Sequence, residues 1–189
     1  MRIVAGKWRG HNIFVPDIEE TRPTMDRTRQ AVFNILRSAD FALDENHTPL
    51  LQDAFVLDIF AGSGAMGFEA LSQGAATCTF FEQHPEAGRT IEKNRDKLRA
   101  GDTIKLVKGD VLRVSLNFND PARIAFFDPP YQQGLLEQSL VTMREKNWIS
   151  KDTLLVLELH KREDLEINLK LHDSRIYGTS KIIFAQFED

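Results

Sequence analysis

The chain has 189 residues, 42% apolar and 28% charged, with 24 Lys or Arg against 28 Asp or Glu for a net charge of −4. That is enough for one full-sized globular domain and a small appendage. No apolar run reaches the length of a membrane span, the N-terminus lacks the charged-then-apolar pattern of a secretion signal, and a lone cysteine, Cys78, excludes a disulfide within the chain.

In chain order, two short strands are expected near Ile3-Val4-Ala5 and Asn12-Ile13-Phe14-Val15, joined by Gly6-Lys7-Trp8-Arg9-Gly10. Pro23 and Thr24 open a helix in which Val32, Ile35, Leu36 and Ala39 fall at helical spacing. Residues 1–40 therefore read as an N-terminal extension, 41–52 as a linker and 53–189 as the main domain. Residues 1–37 carry seven Lys or Arg against four acids, whereas the other 152 carry 17 against 24. A cationic appendage on an acidic body suits phosphate contact, although an ordinary solvated basic face has the same composition.

From Phe55 strands and helices alternate. Strands are expected at 55–60, 77–82, 103–108, 124–127 and 154–159, and helices at 65–73, 85–100 and 134–146. Near-continuous apolar strands predict a parallel sheet covered on both faces. Leu169 to Tyr177 and Ser180 to Phe187 flank Gly178-Thr179 and predict a closing antiparallel hairpin. Cys78 sits in an apolar strand and reads as a buried structural thiol. His11, His47, His84, His160 and His172 show no paired spacing, so no metal site is expected. A reducing, cytoplasmic setting fits this content.

The first strand runs into Asp58-Ile59-Phe60-Ala61-Gly62-Ser63-Gly64-Ala65-Met66-Gly67, a complete G-x-G-x-x-G at a strand-to-helix turn. Glycines there allow close backbone approach to a ligand, and Glu82, at the end of the second strand, stands where a Rossmann-type sheet holds a ribose diol. A carboxylate at Asp58 would repel a diphosphate and suits a ligand ammonium, such as the amino-acid end of S-adenosylmethionine, better than a nicotinamide dinucleotide. A buried acid capping backbone amides is compatible with either ligand. Asp110, beside Val111 after the third strand, can accept from an adenine amino group or can cap the next short helix.

The fourth strand ends in Asp128-Pro129-Pro130-Tyr131. Proline cannot donate to a sheet ladder, so the pair stops the strand. The Asp128 carboxylate and the carbonyls beside it can hold amine hydrogens while the Tyr131 ring stacks on a planar heterocycle. A proline-stopped turn with a surface tyrosine is the plain structural alternative.

Together, Asp58-x-Phe60-Ala61-Gly62-Ser63-Gly64, Glu82, Asp110 and the proline tetrad resemble the ordered motifs of class I S-adenosylmethionine-dependent methyltransferases that act on exocyclic amines. Arg2-Ile3-Val4-Ala5-Gly6-Lys7-Trp8-Arg9-Gly10, Arg22-Pro23-Thr24-x-Asp26-Arg27-x-Arg29 and Tyr177-Gly178-Thr179-Ser180 narrow the resemblance to the RsmD-type bacterial 16S ribosomal RNA guanine-N2 methyltransferases, from residue 2 to about 187. The resemblance implies a Rossmann-like α/β fold with a seven-stranded, mostly parallel sheet. It also implies cofactor contacts at Asp58, Phe60, Gly62, Ser63, Gly64, Glu82, Asp110 and Val111, and catalysis at Asp128, Pro129, Pro130 and Tyr131. Lys7, Arg9, Arg22, Arg27 and Arg29 are then the candidate contacts to 16S RNA or the small ribosomal subunit, with Arg27 and Arg29 unable to share one narrow helical face. Nothing in the chain demands more than a monomer. A DNA adenine-N6 methyltransferase, a non-catalytic RNA-binding or assembly factor and, last, a dehydrogenase are the competing readings.

Overall fold

The computed structural model describes residues 1–17, 23–130 and 134–188, with backbone only for residues 23–25. Helix α1 (Pro23–Ser38) precedes β1 (Phe55–Ile59), α2 (Ala65–Ser72), β2 (Thr77–Glu82), α3 (Pro85–Leu98), β3 (Ile104–Lys108), β4 (Ile124–Phe127), α4 (Leu135–Glu145), β5 (Leu154–His160), β6 (Leu169–Tyr177) and β7 (Ser180–Phe187). The strands form one seven-stranded sheet in the order β3-β2-β1-β4-β5-β7-β6. The first five are mutually parallel, and β7 runs antiparallel to both β5 and β6. This is the expected sheet, closed by the expected hairpin.

Alternation along the strands sends apolar side chains to both faces, and each face is covered. Val56, Phe80, Phe126, Val156 and Phe184 meet Val32, Phe33, Leu36 and Phe68 on one side. Leu57, Phe81, Ala125, Phe127 and Leu157 meet Leu136, Leu140, Met143 and Trp148 on the other. The chain moves outward from β1 to β3, then returns to β4 on the opposite flank of β1. A crevice consequently opens beyond the carboxyl ends of β1 and β4, the topological switch point of such a sheet.

The N-terminal strands contract to one antiparallel bridge between Arg2 and Asn12. Distant side chains take the backbone groups a longer ladder would have used. Glu69 accepts from the N–H groups of Val4 and Ala5, both at 2.9 Å, while the Asn94 amide accepts from Phe14 N–H at 2.7 Å and donates to its carbonyl at 3.0 Å. Gly6 (φ +80°) lies so close to α2 that a Cβ there would sit 1.7 Å from the Ser72 carbonyl oxygen. Residues 40–52 also pack inward: Ala42 and Leu51 are buried, and Asp44 Oδ1 accepts from the Asn46 and Thr48 N–H groups.

Candidate active site

Backbone conformation at the turn after β1 is unusual at three alternate positions: Phe60 (φ +63°), Gly62 (φ +53°) and Gly64 (φ +78°). Gly64 is the N-cap of α2, and a Cβ at Gly67 would lie 2.4 Å from the Phe80 ring, so the helix can press this closely on the sheet only with glycine there. Asp58 is buried, and its Oδ2 accepts from Gly67 N–H at 2.8 Å. Burial foremost, and the Asp58 charge second, push the neighbouring Cys78 thiol well up, which suits an inert thiol rather than a nucleophile. Asn94 completes the clamp by donating to the Ser63 carbonyl at 3.0 Å.

Glu82 ends β2 with both oxygens engaged, accepting from Gly62 N–H at 2.8 Å and His84 N–H at 2.6 Å. Each carboxylate oxygen retains a second lone pair. Asp110 caps the short turn Val111–Arg113 by accepting from Leu112 N–H at 2.9 Å. The three acids therefore shape their own loops, and they also line one cavity of about 1130 Å³. Its wall is anionic, which favours a cationic ligand over a diphosphate.

At the end of β4, Asp128 N–H reaches the Ile59 carbonyl at 3.4 Å, and the two prolines follow with no donor to continue the ladder. Asp128 and Pro130 are exposed and Pro129 is half-buried. The cavity joins these three residues to Asp58, Phe60, Gly62, Ser63, Glu82, Asp110 and Val111. Gly64 is not on its surface; it acts by setting the turn. Tyr131 lies outside the described residues.

The cavity is also lined by Glu158, on the strand next to β4, together with Gly178, Thr179 and Ser180. Burial raises the Glu158 carboxyl above the ordinary glutamate value, and a hydrogen bond from the Ser180 hydroxyl draws it partly back. Sequence reasoning gave Glu158 no role, although the signal was present: a carboxylate interrupts the apolar run Leu154-Leu155-Val156-Leu157, just as Asp58 interrupts β1.

Of the basic candidates, Lys7, Arg9 and Arg27 are exposed, and Arg22 lies outside the described residues. Arg29 differs from the surface cation the sequence led us to expect. It is only 4% exposed, donates to the Arg2 carbonyl at 2.6 Å and to Asp26 at 2.9 Å, and places Nε 3.4 Å from Glu69 Oε2. Two residues along the helix from Arg27, it points inward to Glu69 and the cavity lining, with its guanidinium already engaged, so it does not present a free cation to an RNA backbone at the surface.

A G-x-G-x-x-G turn at the switch point, acids at successive strand ends and an antiparallel last strand define the Rossmann-like methyltransferase class. The chain belongs to the family described as Conserved hypothetical protein 95, which it matches over residues 1–186. It is 34% identical over 181 residues to ribosomal RNA small subunit methyltransferase D of Escherichia coli strain K12, covering 94% of this chain and 85% of that one. The Haemophilus influenzae protein of the same name is 34% identical over 171 residues, covering 87% of this chain and 81% of its own. The solved structure of yhhF from Escherichia coli superposes with a TM-score of 0.82 at 32% identity, covering 100% of this chain and 98% of that one. This chain is accordingly a methyltransferase.

Proposed function

We propose that the protein transfers a methyl group from S-adenosylmethionine to the exocyclic N2 amine of a guanine in 16S ribosomal RNA. The observation that carries this reading is the single cavity joining the glycine turn, Glu82 and Asp110 to the Asp128-Pro129-Pro130 corner, because donor and acceptor must share one water-poor space. Its volume of about 1130 Å³ exceeds that of a typical single-ligand pocket, which leaves room for a flipped base beside the donor. The likeness to the small-subunit methyltransferases supports the RNA substrate.

The donor, when bound, supplies an electrophilic methyl on a sulfonium. Everything else falls to the chain. Glu82 offers its remaining lone pairs to the ribose hydroxyls, Asp110 and the Val111 N–H suit the adenine edge, and Asp58 gives the amino-acid end a negative field. The guanine N2 lone pair is delocalised into the ring, so positioning and electrostatics must raise its nucleophilicity. Asp128 and the Pro129 carbonyl accept the two amine hydrogens and turn the lone pair outward. Tyr131 stacks on the base, contributing about 1–3 kcal/mol. Lys7, Arg9, Arg22 and Arg27 supply phosphate contacts. Neutralising Arg27 should reduce RNA affinity and lower its log–log salt slope by about 0.7–0.9, with donor affinity unchanged.

Mass-spectrometric mapping of ribosomal RNA from cells lacking the protein tests the assignment: one N2-methylguanosine of 16S RNA should disappear and return with the wild-type chain. Asp128→Ala should lower kcat by about 100-fold or more while leaving calorimetric donor binding intact, and Glu82→Ala should weaken donor binding first. An unchanged modification map, or an Asp128→Ala enzyme retaining most of its turnover, defeats the reading.

A further inference from the structure

The part of the cavity lining next to the proline corner, at the end of β5 and the start of β7, has no part in the chemistry described so far. Strand register fixes what stands there. Phe126 of β4 pairs with Val156 of β5 and the ladder ends at the pair Phe127 and Leu157, so Asp128 and Glu158 are the next residue on each chain, and the same alternation carried one step on brings them level on the Phe126 and Val156 face. Neighbouring strands lie about 4.8 Å apart, which sets these two acids side by side across one strand gap. Ile182 of β7 stands opposite Glu158, and Ser180 follows on the same face at the start of that strand. Glu158, Ser180 and Asp128 all line the cavity.

We propose that Glu158 reads the Watson–Crick edge of the target base, accepting the guanine N1–H while Asp128 accepts from the N2 amine. The proposal rests on the guanine-N2 reading above and names the residue that makes the site selective for guanine. Guanine offers N1–H and N2–H as adjacent donors on one edge, and two carboxylates on adjacent strands match that pattern. Adenine and 2,6-diaminopurine carry a lone pair at N1, which a carboxylate repels. A site built around a buried acceptor rejects a ligand lacking the donor, because the acceptor is then left unsatisfied away from water. The Ser180 hydroxyl holds the Glu158 carboxyl in place. A purely structural partner for one serine needs no charge, and a glutamine would serve it equally well. The raised carboxyl marks a partly desolvated group, which the Ser180 hydrogen bond relieves in part and a further donor would relieve more.

The test uses 16S RNA carrying either guanine or 2,6-diaminopurine at the mapped target, assembled by splinted ligation and, where the wild type requires it, reconstituted into subunits. Both bases keep the N2 amine and a similar stacking surface; only guanine has N1–H. The wild type should prefer guanine in kcat/KM by about 100-fold or more. Glu158→Gln, whose amide can donate to an unprotonated N1, should bring the two within about tenfold, mainly by losing rate on guanine. S-adenosylmethionine binding by calorimetry should match wild type and so report an intact fold. A Glu158→Gln enzyme that keeps the wild-type preference overturns the assignment, as does a wild type that treats both bases alike. Absence of N2-methylguanosine from the wild-type product would overturn the guanine reading itself, whereas an unaltered preference with that product present removes only the role of Glu158.

Discussion

Two glutamates inside this domain have opposite surroundings. Glu69 on α2 is fully buried and well satisfied, accepting three hydrogen bonds from Val4 N–H, Ala5 N–H and the Gln73 amide, with Arg29 beside it as counter-charge. Glu158 on β5 is part-buried at the cavity wall, with the Ser180 hydroxyl against it. A carboxylate whose acceptor capacity is mostly taken by backbone amides and a side chain fastens one piece of chain to another. A desolvated one left facing a cavity has acceptor capacity to spend on a ligand. The residue type is the same, and satisfaction tells the roles apart.

The largest effect that sharpens this contrast belongs to Glu69→Ala. It strips two N-terminal amides of their acceptor and takes from the buried Arg29 guanidinium the carboxylate beside its Nε, leaving it Asp26 and the Arg2 carbonyl. Breaking a buried pair from one side costs about 3–5 kcal/mol, measurable as a lowered urea midpoint. Among the described residues no ion pair engages Glu158, so Glu158→Ala should cost far less. Equal losses for the two alanine variants would abolish the distinction.

Gly6→Ala attacks the same fastening from its other end. A left-handed backbone costs a non-glycine residue about 1–3 kcal/mol, and the added Cβ would collide with the Ser72 carbonyl, which accepts from Lys7 N–H at 2.8 Å. The N-terminal hook must lift. Hydrogen exchange should then accelerate at Val4, Ala5 and Lys7 while the β1 and β4 amides keep their protection. Uniform loss of protection would mean that the hook and sheet unfold as one unit.

What could be read from sequence followed the range of the interaction. The β6–β7 hairpin was legible because period-two patterning and Gly178-Thr179 are local, and the end of β4 was legible because proline enforces it. The N-terminal strands were not, since the groups that displace their ladder, Glu69 and Asn94, lie 64 to 80 residues away from the amides they hold. Arg27 and Arg29 share a basic motif, and only the packed helix decides that one faces solvent and the other Glu69. In the candidate site, the glycine turn, Glu82, Asp110 and the proline corner announced themselves by motif. Glu158 did not, because its meaning comes from standing level with Asp128 across a strand pairing.

The smallest expected effect is also the most diagnostic of the open carboxylate. Desolvation raises the Glu158 carboxyl in the folded state, so the native protein binds that proton more tightly than the unfolded chain does. Below the unfolded-state pKa the group is neutral in both states and its favourable contribution is complete. As pH climbs through the raised folded value that contribution is lost, and at neutral pH the buried charge weighs against folding. Glu158→Gln keeps the shape and the Ser180 hydrogen bond without the charge. It should therefore unfold at a higher temperature than wild type at pH 7.5, by about 2–4 °C for each kcal/mol of relief, with the gap closing on acidification. A variant less stable than wild type at pH 7.5, or a gap that widens towards acid, would mean that this carboxylate is as well satisfied as Glu69 and has nothing left to offer a base.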